Sequence, residues 1–220
     1  MIVQENLSDQ LVNIIGNSII QNELKSGDII GETRIAKEWC VSRSPVRDAL
    51  HLLEKAKLVE KGKRGSYKVL ELTADYIDNF YDTFNMIYQY SFARAAQRMT
   101  QEHLANLISL ADTIDLSVEK EDYEAYIEYV TLFGQSILRV ADNPITEQLG
   151  LAMMPTAHRI VFAAIEIAPS HTKETCGHIR KSCDQLEAQD SIEAAESFKK
   201  FANASRQALI HYIEVEGQTV

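Results

Sequence analysis

Apolar positions in the first 70 residues fall into short runs separated by polar or glycine-containing turns. Spacings of three and four residues recur among the positions of one stripe and predict a first helix over residues 7–22. The stripe consists of Leu11, Ile14, Ile15, Ser18 and Ile19. A second, shorter helix is predicted over residues 33–39, with its apolar side facing inward.

A third helix is predicted to begin at Pro45, with Ser44 as its N-cap, because proline is tolerated where a helix needs no N–H donor. Its buried stripe consists of Val46, Ala49, Leu50 and Leu53. Two strand-like runs come next, around a turn made of Gly62, Lys63, Arg64 and Gly65. Helices joined by a tight turn and followed by a hairpin predict a winged helix-turn-helix, an α+β fold.

From Thr73 onward the pattern has helical periodicity only, with few glycines or prolines. Helices are predicted to begin near residues 73, 100, 120, 145, 169 and 190. Inward positions include Tyr88 on the first of them and Ile108 on the second. The result is an all-α bundle of six helices, or seven if Pro155 divides the fourth. We therefore expect two domains, residues 1–70 and residues 71–220.

Cations lie on the outer side of the third helix and on the hairpin. Arg43, Arg47 and His51 are four residues apart and line up along one helix face. The hairpin adds Lys61, Lys63, Arg64 and Lys68. The whole chain has a formal charge of −10, but residues 32–68 contain ten Lys or Arg and five Asp or Glu, a net charge of +5. This distribution favours a helix that enters a DNA major groove and a wing that lies along phosphates.

Residues 7–70 resemble the DNA-binding domain of the GntR family of bacterial transcription regulators. The resemblance rests on Glu32 and Ile35-Ala36, on the run Val41-Ser-Arg-Ser-Pro-Val-Arg-Asp-Ala-Leu50, and on Gly65-Ser-Tyr-Lys-Val69. It implies that DNA is contacted by Ser42, Arg43, Ser44, Arg47 and Gly65. A family position that is arginine in the fatty-acid-responsive member is Thr33 here, with Arg34 beside it, so either of these two is a candidate for the backbone contact.

Three short runs carry a resemblance for the second half: Asp142-Asn-Pro144 after a Phe-containing helix, His178-Ile-Arg180, and Asp190 followed by Ala194-Ala195. Through them the second half resembles the ligand-sensing domain of the FadR-type branch of that family. In that branch the domain dimerises and often holds a divalent metal through one Asp and three His. The equivalent positions here are Val130, Gly134, His178 and Phe201, so one ligand of four is retained. The resemblance therefore implies no bound metal and no cofactor.

Two charged family positions on the domain's first helix are uncharged here, as Asn85 and Gln89. Together with the lost metal ligands, this predicts a cavity for an uncharged or mixed polar and apolar effector. Its expected lining is Asn85, Tyr88, Gln89, Val130, Gly134, His178 and Phe201.

Three cysteines with no framework spacing predict reduced thiols, and neither a signal peptide nor an apolar run of membrane-spanning length is evident. We expect a cytoplasmic protein without membrane contact.

The combined pattern favours a homodimeric, ligand-responsive transcription regulator, a repressor in most members of the family, that binds a short palindromic DNA operator. An all-α enzyme with its active site in the second domain is the contrasting hypothesis, although no Gly-rich phosphate loop, Gly-x-Ser-x-Gly elbow or His-Glu-x-x-His motif occurs. A third hypothesis is a DNA-binding regulator whose sensor domain no longer binds an effector.

Overall fold

The computed structural model describes residues 6–167, 169 and 171–216. The side chains of Arg64, His171 and Glu216 lie outside the described part. The described residues form two compact units. One contains residues 6–73 together with Pro155–Phe162, and the other contains Ala74–Met154 and the described residues from 163 to 216. The predicted domain boundary after residue 70 stays a prediction.

Three helices form the first unit: α1 (Leu7–Ile20), α2 (Glu32–Glu38) and α3 (Arg43–Lys55). Helix α3 begins two residues before the predicted start, and Ser42 rather than Ser44 is its N-cap residue, without a side-chain cap hydrogen bond. The prediction for Ser44 was wrong because none of the first four N–H groups of a helix has an intrahelical partner. Pro45 is therefore tolerated at the third position as well as at the first.

A three-stranded antiparallel sheet completes the first unit, in the order β1-β3-β2. Its strands are β1 (Ile29–Gly31), β2 (Val59–Lys61) and β3 (Ser66–Val69). The hairpin strands β2 and β3 match the prediction, whereas β1 was not predicted because three residues are too few for an alternating pattern to be visible. Strand β1 pairs with β3 in a register that opposes Ile30 to Tyr67.

The core of the first unit joins the inner sides of the three helices to the sheet. Leu11, Ile19, Val46, Leu50 and Tyr67 are each 2% exposed or less. Ile14 was predicted to face inward but is 52% exposed. Helix α1 presents the stripe that contains Leu11 and Ile15 to the core, and Ile14 lies at the edge of that stripe, on the solvent side. Within the same unit, the buried guanidinium of Arg159 donates to the Leu70 carbonyl and to the Ser26 hydroxyl.

Six further helices complete the described part of the chain. They are α4 (Ala74–Ala96), α5 (Gln101–Glu119), α6 (Tyr123–Val140), α7 (Pro144–Ile167), α8 (His171–Glu187) and α9 (Ser191–Glu216). Thr100 caps α5, its hydroxyl accepting from the His103 N–H at 3.2 Å. Helix α7 continues through Pro155, so it is a single helix. Pro155 removes one helical hydrogen bond, but side chains before and after it, including Met154 and Ile160, are buried and hold the helix together.

Aromatic rings from α4 and α9 form the centre of the second unit. Phe198 of α9 lies 5.0 Å from Tyr88 and 5.0 Å from Phe92, measured between ring centroids. At the edges, Arg180 of α8 is paired with Asp112 and Asp115 of α5. Ile108, predicted to face inward, is 37% exposed, since α5 buries Leu104, Leu107 and Ala111 instead.

The predicted fold class is confirmed: a winged helix-turn-helix is followed by a bundle of six helices. Among the described residues, no helix combines the length and apolar character needed to cross a lipid bilayer.

Candidate nucleic-acid interface and effector cavity

The first two turns of α3 present polar and cationic side chains to solvent. Ser42, Arg43, Ser44 and Arg47 are all exposed, while Val46 on the opposite side is fully buried. A helix end of this kind supplies unpaired N–H groups, hydroxyl donors and guanidinium groups in one place, which suits phosphates and base edges. The B-DNA major groove is about 12 Å wide and admits such a helix.

Arg43 and Arg47 differ in their immediate surroundings. The Nη2 atom of Arg43 lies 3.5 Å from Oε2 of Glu32, the first residue of α2. Arg47 forms no ion pair with any side chain that the structure describes. Arg47 is therefore the less restrained of the two, and the role of Glu32 beside Arg43 was not predicted from the sequence.

His51 connects the outer face of α3 to the sheet. Its Nδ1 atom lies 3.3 Å from Oε2 of Glu54, and its ring meets the ring of Tyr67 edge-on at 6.1 Å. Burial raises the pKa of Tyr67, and the charges of Glu54 and Glu32 raise that pKa further. His51 is thus exposed on the same helix as the two arginines and also packs against β3.

The wing tip presents the side chain of Lys63 to solvent. Residues Lys63–Gly65 form a short 3-10 turn in which Gly65 has a φ of 78°, a conformation that favours glycine. The Lys63 side chain is exposed, whereas the predicted contact by the Arg64 side chain falls outside the described part.

Lys68, one of the cations that the sequence places on the hairpin, is paired with acidic side chains in the structure. Its Nζ atom lies 2.5 Å from Glu71 Oε1 and 3.8 Å from Glu60 Oε1. The hydrogen bond to Glu71 raises the pKa of Lys68. Glu60 stands directly opposite Lys68 in the register of β2 and β3, so the sheet itself brings these opposite charges together.

Both candidate side chains on α2 are exposed. Thr33 makes no hydrogen bond through its side chain within the described residues, while Arg34 Nη2 lies 3.5 Å from the Ile29 carbonyl oxygen. Both side chains reach solvent, and the choice between them for a phosphate contact stays open.

In the second unit, two of the predicted effector residues lie against each other. Tyr88 of α4 is 1% exposed and its hydroxyl lies 4.0 Å from the Met154 sulfur. A Cβ atom placed on Gly134 of α6 would meet Tyr88 Cε1 and the Tyr88 hydroxyl oxygen, each at 3.4 Å. Burial raises the pKa of Tyr88 well above its ordinary value, so the phenol is a neutral donor beside Gly134.

Asn85 lies three residues before Tyr88 and carries an unpartnered polar atom. Its Nδ2 atom donates to Asn203 Oδ1 of α9 at 3.4 Å. Its own Oδ1 is buried and accepts no hydrogen bond from the described residues. Such an acceptor is costly to bury alone and is available to a donor. Asn203 was not predicted from the sequence, since which α9 side chain meets α4 depends on how the two helices pack.

The remaining predicted effector residues are half-buried: Gln89, Val130, His178 and Phe201. Val130 precedes Gly134 by one turn of α6, and the Phe201 ring lies 6.0 Å from that of Phe198. Gln89 and His178 form no hydrogen bond or ion pair through their side chains within the described residues.

A separate open groove of about 420 Å³ between α4 and α9 contains none of the predicted effector residues. It is lined by Asp78, Asn203, Arg206, Gln207, Ile210, His211 and Glu214.

Metal-binding side chains are scattered. Across residues 6–167, 169 and 171–216, no three His, Cys, Asp or Glu side chains lie close enough together to hold a metal ion. Burial raises the pKa of both Cys176 and Cys183 to about 12, which keeps these free thiols protonated.

Two family profiles match this chain. The profile of bacterial regulatory proteins of the gntR family matches residues 7–69, and that of the FCD domain matches residues 80–203. Members of the family and the relatives that match this chain are transcription regulators and not enzymes.

The gluconate operon transcriptional repressor of Bacillus subtilis is 26% identical over 149 residues, which are 68% of this chain and 61% of that protein. The repressor of the same name from Bacillus licheniformis is matched over 49% of its length. The chain thus spans about half to three fifths of these relatives. The Escherichia coli regulator McbR is 25% identical over 84% of each chain.

Solved structures share the fold. The structure of E. coli McbR covers 98% of this chain with a TM-score of 0.78 at 20% identity, and all of its own chain is matched. A GntR-type regulator from Rhodococcus covers 92% with a TM-score of 0.72 at 19% identity, and 97% of that chain is matched. Winged helix, helical bundle and both family profiles agree, and the chain belongs to the GntR family of bacterial transcription regulators, in its FadR-type branch with an FCD domain.

Proposed function

We propose that the protein is a ligand-responsive repressor that binds a short palindromic DNA operator as a homodimer in the cytoplasm. The observation that carries the proposal is the exposed, cationic first half of α3. Arg43 and Arg47 stand there on a rigid support, because Val46 and Leu50 directly beneath them are fully buried. The repressor assignment is based on the two Bacillus relatives, both of which are named repressors.

In this proposal α3 enters the major groove and the wing lies along the backbone. Arg47 and Arg43 read base edges, with His51 farther along the same face. Hydroxyl groups, backbone groups and the cations of α2 and the wing bind the DNA phosphates. These anchors are Thr33, Arg34, Ser42, Ser44, Lys63, Arg64 and Gly65.

The effector site lies around Tyr88 and Gly134. The neutral phenol of Tyr88 and the unpartnered Oδ1 of Asn85 favour a ligand with hydrogen-bond donors and acceptors over a metal-chelated acid. Gln89, Val130, His178 and Phe201 complete the lining. The effector must bind the DNA-competent and DNA-incompetent states with different affinities to change operator occupancy.

The dimer surface includes four large apolar side chains that are exposed on α4 and at the start of α7. These are Met86 (70% exposed), Tyr90 (44%), Ile145 (65%) and Leu149 (51%). The Tyr90 hydroxyl accepts from Asn143 Nδ2 at 3.1 Å, which joins α4 to the residue before α7. An apolar surface of this kind is typical of protein–protein contacts.

The operator is tested by selection from a random duplex library, followed by fluorescence anisotropy with the selected sequence and a scrambled duplex. We expect a palindromic consensus and one dimer per site. A consensus without two-fold symmetry would contradict the homodimeric arrangement.

The sensor is tested by native mass spectrometry of the protein as purified from its expression host, with parallel metal analysis. A metal-free dimer that retains an organic adduct agrees with the proposed cavity. About one metal ion per chain would contradict it and would favour a small chelating acid. A metal-free dimer without any adduct is the outcome expected if the sensor no longer binds an effector. A compound screen for operator release then decides that case.

A further inference from the structure

Glu32 is an acidic residue placed beneath a surface that is proposed to meet a polyanion. It is the first residue of α2, and its side chain is only 10% exposed. The helix N-terminus favours a negative charge there, and the preceding Gly31 provides no side-chain cap. Burying a carboxylate is nevertheless costly unless it is hydrogen-bonded or paired with a cation.

The pairing with Arg43 is unequal. Arg43 Nη2 lies 3.5 Å from Glu32 Oε2, but the Arg43 side chain is 67% exposed and Glu32 is not. Water can solvate Arg43 without Glu32, whereas Glu32 needs the guanidinium. The contact therefore restrains an exposed, flexible arginine by means of a buried, fixed carboxylate.

We infer that Glu32 is a positioning residue for DNA reading: it holds the Arg43 guanidinium at the N-terminus of α3 in the orientation that meets a base edge. The inference rests on the proposed function, in which Arg43 contacts DNA. A guanidinium has five N–H donors, so one can remain on Glu32 while two others make a bidentate contact to guanine.

This role predicts two effects of opposite sign. First, removing the carboxylate charge reduces the repulsion of DNA phosphates, and this effect taken alone strengthens binding to every duplex or leaves it unchanged. Second, removing the restraint frees the Arg43 side chain. The entropy lost when Arg43 is ordered on its base weakens binding to the specific sequence, so discrimination between sequences falls. A residue that only stabilises α2 would instead weaken binding to all duplexes together.

The test compares Glu32→Gln with Glu38→Gln, a matched control at the exposed last residue of the same helix. Dissociation constants are measured by anisotropy for the selected duplex and for the scrambled duplex, and melting temperatures are recorded. We expect Glu32→Gln to lower the ratio of specific to non-specific affinity by about 2- to 10-fold, without weakening non-specific binding. Glu38→Gln should leave the ratio unchanged.

Two further variants separate the explanations. Glu32→Asp keeps the charge near the helix N-terminus but shortens the side chain, so it should also lower the ratio. The double variant Glu32→Gln, Arg43→Ala should discriminate between the two duplexes as well as Arg43→Ala alone does. If Arg43→Ala itself leaves the ratio unchanged, the proposed DNA contact of Arg43 is wrong. If Arg43→Ala lowers the ratio and Glu32→Gln does not, only the positioning role is overturned. Parallel losses in both affinities and in melting temperature would also overturn it, in favour of a structural role.

Discussion

Two arginines of α3 differ in how strongly a neighbouring charge restrains the side chain. Arg43 is held by Glu32, whereas Arg47 has no charged partner among the described side chains. A restrained arginine loses less entropy on binding, and an unpaired one breaks no existing contact. We expect both to read bases, with Arg47 more dependent on the DNA for its final orientation.

The wing lysines differ in the same way. Lys63 is exposed, while Lys68 is already paired with Glu60 and Glu71. Replacing Lys63 by Gln should weaken binding to all duplexes alike and reduce the slope of log K against log salt by about one unit, since one phosphate contact is lost. Lys68→Gln, the matched control, should reduce that slope by less than half as much. Salt titrations by anisotropy measure both, and equal slopes for the two variants would contradict the difference.

The positions of the cations could be predicted from the sequence, but their partners could not. Four-residue spacing places Arg43, Arg47 and His51 along one side of a helix wherever that helix lies. The neutralisation of Lys68 depends on the strand register, and the pairing of Arg43 depends on how α2 packs beside α3. Neither has a sequence signal at a fixed spacing.

Several helices are followed, two residues after their last residue, by a non-glycine residue with positive φ. Lys57, Glu121 and Gln189 have φ values of 59°, 56° and 56°. After each of them the next N–H bonds back five residues, as from Leu58 to the Leu53 carbonyl, from Asp122 to that of Ser117 and from Asp190 to that of Gln185. This is the Schellman arrangement, in which glycine is favoured because a Cβ atom is strained.

Replacing Glu121 by Gly should therefore stabilise the protein by about 0.5 to 1 kcal/mol, the relief of left-handed strain less the added entropy of the unfolded chain. Ala105→Gly, at an exposed interior position of the same helix α5, is the control and should destabilise by about 1 kcal/mol. Urea denaturation measures both free energies of unfolding. Destabilisation by Glu121→Gly would show that the Glu121 side chain contributes more than its strain costs.

Helical periodicity predicted the elements well where an apolar stripe was long, as in α4 and α6. Shorter signals failed for physical reasons. Strand β1 is three residues long and is stabilised by its pairing with β3. Proline inside a helix is a sequence signal for a break, but α7 continues through Pro155 because neighbouring side chains are buried in the tertiary structure. The contact between Tyr88 and Gly134 likewise depends on how α4 and α6 pack, although both residues were predicted to line the cavity.

On the scale of the whole molecule, charge is divided along the chain. The formal net charge is −10, yet residues 32–68 have a net charge of +5. Acidic surfaces outside the winged helix should repel DNA, so encounter is directed toward α3 and the wing.

Association into a dimer should depend on the exposed apolar surface of α4 and α7. Met86→Glu places a charge on this surface, and we expect the dimer to dissociate to monomers at micromolar concentration. Ile192→Glu, at an 80% exposed position on α9, is the control and should leave the dimer intact. Sedimentation velocity measures the oligomeric state of both variants. A Met86→Glu protein that remains dimeric would contradict this interface and indicate that the dimer forms through another surface.

The most direct test of the central claim, that α3 reads DNA through its exposed arginines, is the anisotropy of Arg47→Ala on the selected and scrambled duplexes. We predict a loss of about 1 to 3 kcal/mol in binding to the selected duplex and a relaxed base preference, with a much smaller change on the scrambled duplex. Specific binding that remains intact in Arg47→Ala would contradict the assignment of this helix face to DNA.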